Sequence, residues 1–293
     1  MSILVKSMWV LALLTFAPVT ESQSPRPDPW NRILLVMEGG TTHGNAEPVD
    51  FLKSLSPDEM LLGARQACEE VASRAGEMQD MPPADVAEIY VMVCLHYYFE
   101  KVGRDKGAKV LLSIISDRAE SEFLRRALIS RMWNRDEPFD AEFQAYLKTD
   151  EERVTGLLPR ILKDRGEHLL VRTEAMDCLG VQLGREVSKI IRSDPNLREV
   201  VKEKREHTNK VVNVSELVRS REVALTEETL KALNPIEART RAYIKLLGAI
   251  LADQENEPEQ LRKQARRKLK DYRKSALTGI DDEVEKALQE AGN

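Results

Sequence analysis

Apolar positions recur at helical spacing through most of the chain. Met60, Ala64, Cys68 and Val71 stand three and four residues apart, one face of an α-helix. Ser56-Pro57-Asp58-Glu59 supplies its start: Ser56 as cap, Pro57 at the first helical position and Glu59 three residues past the cap to reach back. The pattern predicts a helix from 57 to about Arg74, a break at Met81-Pro82-Pro83 and a second helix from Ala84 to Val102. Within that second helix, Ile89 to Phe99 is apolar nearly all round, so it is enclosed by neighbours or presented to a partner. His96 there reads as a core histidine rather than a ligand.

Further along, the pattern repeats. Leu111, Ile114 and Ile115 lead to Asp117-Arg118, and a following helix carries Phe123, Leu124, Arg125, Leu128 and Met132. Shifted by 47 residues, from Arg125 to Arg172, the set returns as Leu158, Ile161 and Leu162, then Asp164-Arg165, then Leu170, Val171, Arg172, Ala175 and Leu179. These units resemble the HEAT/armadillo-like helical repeats, whose period is about 40 to 47 residues. Leu157 to Asp164, continuing through Val171 to Gly180, carries the resemblance most fully: paired Leu/Ile, a turn-closing Asp, then Val-Arg and Ala on the second helix. It implies antiparallel helix pairs stacked as a short α-solenoid, an all-α fold with an extended protein-binding surface. An irregular helical bundle is the alternative, because ordinary helix packing uses the same spacings. A weaker echo is Ala238-Arg239-Thr240-Arg241-Ala242 with Leu246-Leu247-Gly248, off the period. Before it, residues 197–225 form a polar insertion expected to project from the body. Asn213-Val214-Ser215 within it is a glycosylation sequon in a eukaryotic secretory host.

At the N-terminus, Lys6 precedes the apolar run Met8 to Ala17, with Pro18, Thr20 and Ser22 behind it. Basic, apolar and cleavage regions in that order read as an export signal over residues 1–22, which places the mature chain in a periplasmic or extracellular setting. The apolar run is about ten residues where a membrane-spanning helix needs about twenty, so no integral span is expected after cleavage; an uncleaved signal anchor is the alternative. Residues 23–55, with Pro25, Pro27, Pro29, Gly39, Gly40 and Gly44, read as a flexible or loosely docked arm. Its run Ile33-Leu34-Leu35-Val36-Met37 is either a short strand or an apolar clip against the helical body. The remainder, 56–293, reads as one helical domain. Cys68, Cys94 and Cys178 are best read as buried free thiols, with a Cys68–Cys94 bridge the minor alternative.

Composition then narrows function. With 32% charged residues, 5% aromatics, 14 Gly and 3 Cys in 293 residues, the chain fits neither a disulfide-stapled miniprotein nor a polytopic membrane protein. The net charge of −5 indicates no particular partner, but its distribution is uneven. Arg262, Lys263, Arg266, Arg267, Lys270, Arg273 and Lys274 crowd one helix whose Leu261, Ala265, Leu269 and Tyr272 form a docking stripe. That basic face is the candidate binding site for an anionic surface. The competing reading is a solvated face neutralised by Glu255, Glu257 and Glu259 before it and Asp281, Asp282, Glu283 and Glu285 after it. Interleaved aromatics are absent, so nucleic acid is not expected. No nucleophile elbow, metal-binding His helix or paired-Cys motif appears, and the four histidines are scattered. The expectation is a non-catalytic, cofactor-free and metal-free module that binds a protein or peptide partner. A surface-associated protein docking on anionic polymer or lipid through the basic helix is the alternative.

Overall fold

The computed structural model describes residues 30, 33–34, 47–77, 81–133, 151–207, 212–273, 275, 277 and 280–290. The segment 1–22, read from the sequence as an export signal, lies outside the described residues, as does Lys274. Every regular element among those described is helical, so the fold is all-α. The chain divides into two compact units, 1–150 and 151–293, where the sequence suggested a single domain from 56 onward.

The first unit contains α1 (Glu47–Ser54), α2 (Pro57–Arg74), α3 (Pro83–Cys94), α4 (Tyr98–Val102), α5 (Arg104–Ser116) and α6 (Glu122–Trp133). Ser56 and Glu59 close the expected capping box at the start of α2. The apolar helix α3 lies against both α2 and α6, which explains its lack of a polar side. Arg126 on α6 grips the start of α3, donating to the Ala84 carbonyl at 2.6 Å and to Asp85 at 2.9 Å.

The expected single helix and the core reading of His96 both change here. The single helix from Ala84 to Val102 breaks at Leu95–Tyr97, turning Tyr98 and Phe99 into the core and leaving His96 exposed against the Tyr97 ring. Phe99 passes so close to α5 that a Cβ at Gly107 would stand 2.7 Å from its ring, which is why that helical position is glycine. Part of the arm docks: Trp30, Ile33 and Leu34 are helical and buried. The Trp30 backbone N–H donates to Gln66 of α2, and the Trp30 ring tilts on Tyr90 of α3 at 5.0 Å. These residues behave as an apolar clip; the rest of the Ile33–Met37 run lies outside the described residues.

The second unit contains α7 (Glu151–Lys163), α8 (Leu169–Ser193), α9 (Pro195–His207), α10 (Val214–Arg219), α11 (Glu227–Ala252), α12 (Glu259–Tyr272) and α13 (Asp281–Glu290). Helix α8 is its axis, packed against α7, α9, α11 and α12, while α11 also carries α13. The polar insertion is anchored rather than projecting. Leu197, Leu217, Val218 and Val223 are buried, and Asp194 ties the start of α9 to that of α11 by accepting from the Leu197 and Thr226 N–H groups at 3.1 and 2.8 Å. Burial alone would raise the Asp194 carboxyl, but hydrogen bonds from Thr229, Thr226 and Leu197 outweigh it and hold the group below its ordinary value.

The repeat has a physical basis in the hairpins α5–α6 and α7–α8. Asp117 Oδ1 accepts from the Ala119 N–H at 2.9 Å, and Asp164 Oδ1 from the Gly166 N–H at 3.1 Å. Arg125 Nε donates to the Ile115 carbonyl at 2.9 Å and Arg172 Nε to the Leu162 carbonyl at 3.1 Å, both side chains being buried. The Asp thus closes the turn and the Arg satisfies a carbonyl that the end of the first helix leaves without an intrahelical donor. A third hairpin follows the insertion, displaced from the echo at Arg239. Leu247, Ile250, Leu251 and Asp253 repeat Leu158, Ile161, Leu162 and Asp164, and Leu261, Arg262, Ala265 and Leu269 repeat Val171, Arg172, Ala175 and Leu179. Asp253 again closes the turn, accepting from the Asn256 N–H at 3.1 Å. Its Arg262 donates to the Glu257 carbonyl in the turn rather than to the end of α11. Arg239 pairs instead with Glu186 on α8 at 2.5 Å.

Candidate docking surface

Helix α12 is held by its apolar stripe. Leu261, Ala265 and Leu269 are fully buried, and Tyr272 donates its hydroxyl to the Gly180 carbonyl of α8 at 3.3 Å. Tyr243 of α11 does the same to the Met176 carbonyl at 2.7 Å, with its ring 5.8 Å from that of Tyr272. Burial raises both phenols, so they serve as neutral donors. Tyr243 Oη would stand 3.2 Å from a Cβ at Gly180, and glycine there lets the tyrosine reach the α8 backbone.

The basic residues project from the remaining faces, and their neutralisation can be followed one by one. Glu257 is buried on Arg172, with Arg172 Nη1 2.7 Å from Oε2 and Nη2 2.9 Å from Oε1, so its charge is spent inside the unit. Glu259 pairs with Lys263 at 2.6 Å, and that hydrogen bond draws its carboxyl below the ordinary range. Asp177 takes Lys268 at 2.6 Å and reaches Arg267 only at 4.0 Å. Glu285 takes Arg273 at 2.5 Å, and Glu283 pairs with Arg241 of α11. Arg262 is half-buried with its Nε on the Glu257 carbonyl. What remains is Arg266 and Lys270, exposed and without an ion-pair partner among the described residues, beside a loosely held Arg267. Of the seven predicted residues, the structure therefore ties Arg262, Lys263 and Arg273 to their own unit and leaves three cations outward on α12.

Beside α12 runs a groove of 640 Å³, which sequence reasoning did not find. Gly180, Val181, Gly184, Val187, Ser188 and Ile191 of α8 form one wall, Val212 to Ser215 another, and Lys268, Asp271, Tyr272 and Ser275 the third. No side chain fills the space over Gly184: a Cβ there would meet nothing within 4 Å. Val181 is 38% exposed at the lip, and Asn213 caps α10 by accepting from the Glu216 N–H. The only signals for this groove were small residues at 180, 184 and 188, which also suit simple helix packing. Its lining mixes apolar side chains with separated hydroxyl, amide and charged groups.

Elsewhere, His168 caps α8 through Nδ1, which accepts from the Leu170 N–H at 3.3 Å. Cys68, Cys94 and Cys178 are free and buried; burial is the main cause pushing Cys68 up to about 12, away from thiolate chemistry. Among the described residues, no cluster of His, Cys, Asp and Glu could hold a metal ion, and no helix is long and apolar enough to cross a membrane. Compared with family models, curated proteins and solved structures, the chain matches none.

Proposed function

We propose that this chain is an exported, non-catalytic docking module of HEAT-like helical hairpins, stacked as a short solenoid and binding a protein or peptide segment. The observation that carries this reading is the recurrence of one hairpin chemistry, an Asp-closed turn with a buried Arg bonded to the end of the first helix, at a 47-residue interval. The groove along α8 gives it a place for an apolar segment. The test is a pull-down from native envelope and secreted material with residues 23–293, washed at low and high salt, alongside a Val181→Asp, Gly184→Leu variant. A protein retained through about 1 M salt, where the Debye length is about 3 Å, and lost by the variant supports the reading. Absence of any salt-resistant, variant-sensitive capture refutes it.

A second reading, electrostatic docking on an anionic surface through α12, is favoured by the outward Arg266, Arg267 and Lys270, whose neighbouring acids are largely engaged elsewhere. It predicts capture that high salt abolishes.

A further inference from the structure

Building on that second reading, we propose that the outward face of α12 binds a linear, flexible polyanion, and not a bilayer. Arg266 and Lys270 stand one helical turn apart, about 6 Å along the axis, with Arg267 beside them, while Lys263 one turn further back is paired with Glu259. This makes a short cationic line that a chain of closely spaced phosphate or sulfate groups follows without any fixed register. The apolar residues of the same helix point the other way: Leu261, Ala265 and Leu269 have no exposed surface. Stable membrane association of an amphipathic helix requires its apolar face to enter the headgroup boundary, and here that face is committed to α8 and α11. The same face offers a folded protein partner no aromatic or apolar anchor, since its exposed side chains are Arg266, Arg267, Lys270 and the acid Asp271. Of the acids around the line, Glu257, Asp177 and Glu285 are held by Arg172, Lys268 and Arg273, so Asp271 on the helix itself offsets one of the three cations and the face keeps a net positive charge.

The test titrates residues 23–293 against fluorescent long-chain polyphosphate and, separately, against vesicles of phosphatidylglycerol, over a salt series. Polyphosphate binding is expected to fall with salt at a slope of log K against log salt near −2 to −3, the signature of about three displaced counterions. In the Arg266→Gln, Arg267→Gln, Lys270→Gln variant, binding is expected to fall at least tenfold while thermal unfolding is unchanged, because all three side chains are exposed. Vesicle binding that exceeds polymer binding, or that survives high salt, overturns the polyanion proposal and leaves an anionic surface reading standing. Failure to bind either probe overturns both. Polymer binding that the triple variant retains overturns the assignment to α12.

Discussion

The buried pair between Arg172 and Glu257 makes the sharpest stability prediction. Both side chains are nearly solvent-free, at 2% and 5% exposure, and the guanidinium is shared between the Glu257 carboxylate and the Leu162 carbonyl. Changing Glu257 to Ala leaves a buried cation with only its carbonyl partner, and removing one member of a buried pair costs about 3–5 kcal/mol. For a unit of this size that corresponds to roughly 10 °C in melting temperature. Replacing both residues, Arg172→Met with Glu257→Leu, removes the stranded charge. The Leu162 carbonyl then goes without its donor, an expected cost of about 1–3 kcal/mol. The double variant is therefore expected to be no less stable than Glu257→Ala, with a coupling energy of about 2 kcal/mol or more across the cycle. Urea denaturation of residues 23–293 followed by helical circular dichroism, on Glu257→Ala and on the cycle of Arg172→Met, Glu257→Leu and their double, measures these values. A loss below about 1 kcal/mol for Glu257→Ala, or additive single effects, would refute the reasoning.

Other expectations follow from single contacts. Trp30→Ala is expected to destabilise the first unit by about 3–5 kcal/mol, since the ring is 98% buried against Tyr90; a loss under 1 kcal/mol in thermal melts would return these residues to a dispensable arm. Asp194→Asn should cost about 1–3 kcal/mol at neutral pH. The folded Asp194 carboxyl sits below its unfolded value of 3.8, so its support is complete above that value and disappears as pH falls through the lower folded one. Stability curves of wild type and variant should accordingly converge at acid pH below 3.8, and a gap that persists to the acid limit of folding would contradict the linkage. Gly184→Ala should stabilise by about 0.5–1 kcal/mol, whereas Gly180→Ala should gain less or lose, because only the latter Cβ meets Tyr243. Equal shifts in the two melting temperatures would sink that distinction.

How far the sequence carries depends on the distance over which each signal acts. Helix starts and the first two hairpins were legible because the Asp, the Arg and the paired Leu/Ile act within one hairpin and keep one register. The third hairpin escaped because its turn is one residue longer than the others, so its first helix lies 89 residues after that of the second hairpin and its second helix 90. Arg239 mimicked the motif since Arg and Ala at helical spacing also suit a half-buried face paired to Glu186. The break after Cys94 carries neither Gly nor Pro; inward rotation of Tyr98 and Phe99 accompanies it, a tertiary effect. For the basic helix, the cations were readable but their neutralisation was not. Glu257 finds Arg172 85 residues earlier in the chain, and Lys268 finds Asp177 on another helix.

Arg172 illustrates a division of labour within one side chain. Its inner nitrogen seals its own hairpin, as that of Arg125 does, while its fork reaches forward to an acid in the turn of another. The sealing end answers to a backbone carbonyl, which any sequence provides; the reaching end answers to a carboxylate, which only a chosen neighbour provides. Closure of each hairpin is thus local, while the coupling of Arg172 to Glu257 is specific to its partner. Transplanting α7–α8 into another array would preserve its closure, but would demand that the recipient offer an acid where Glu257 stands.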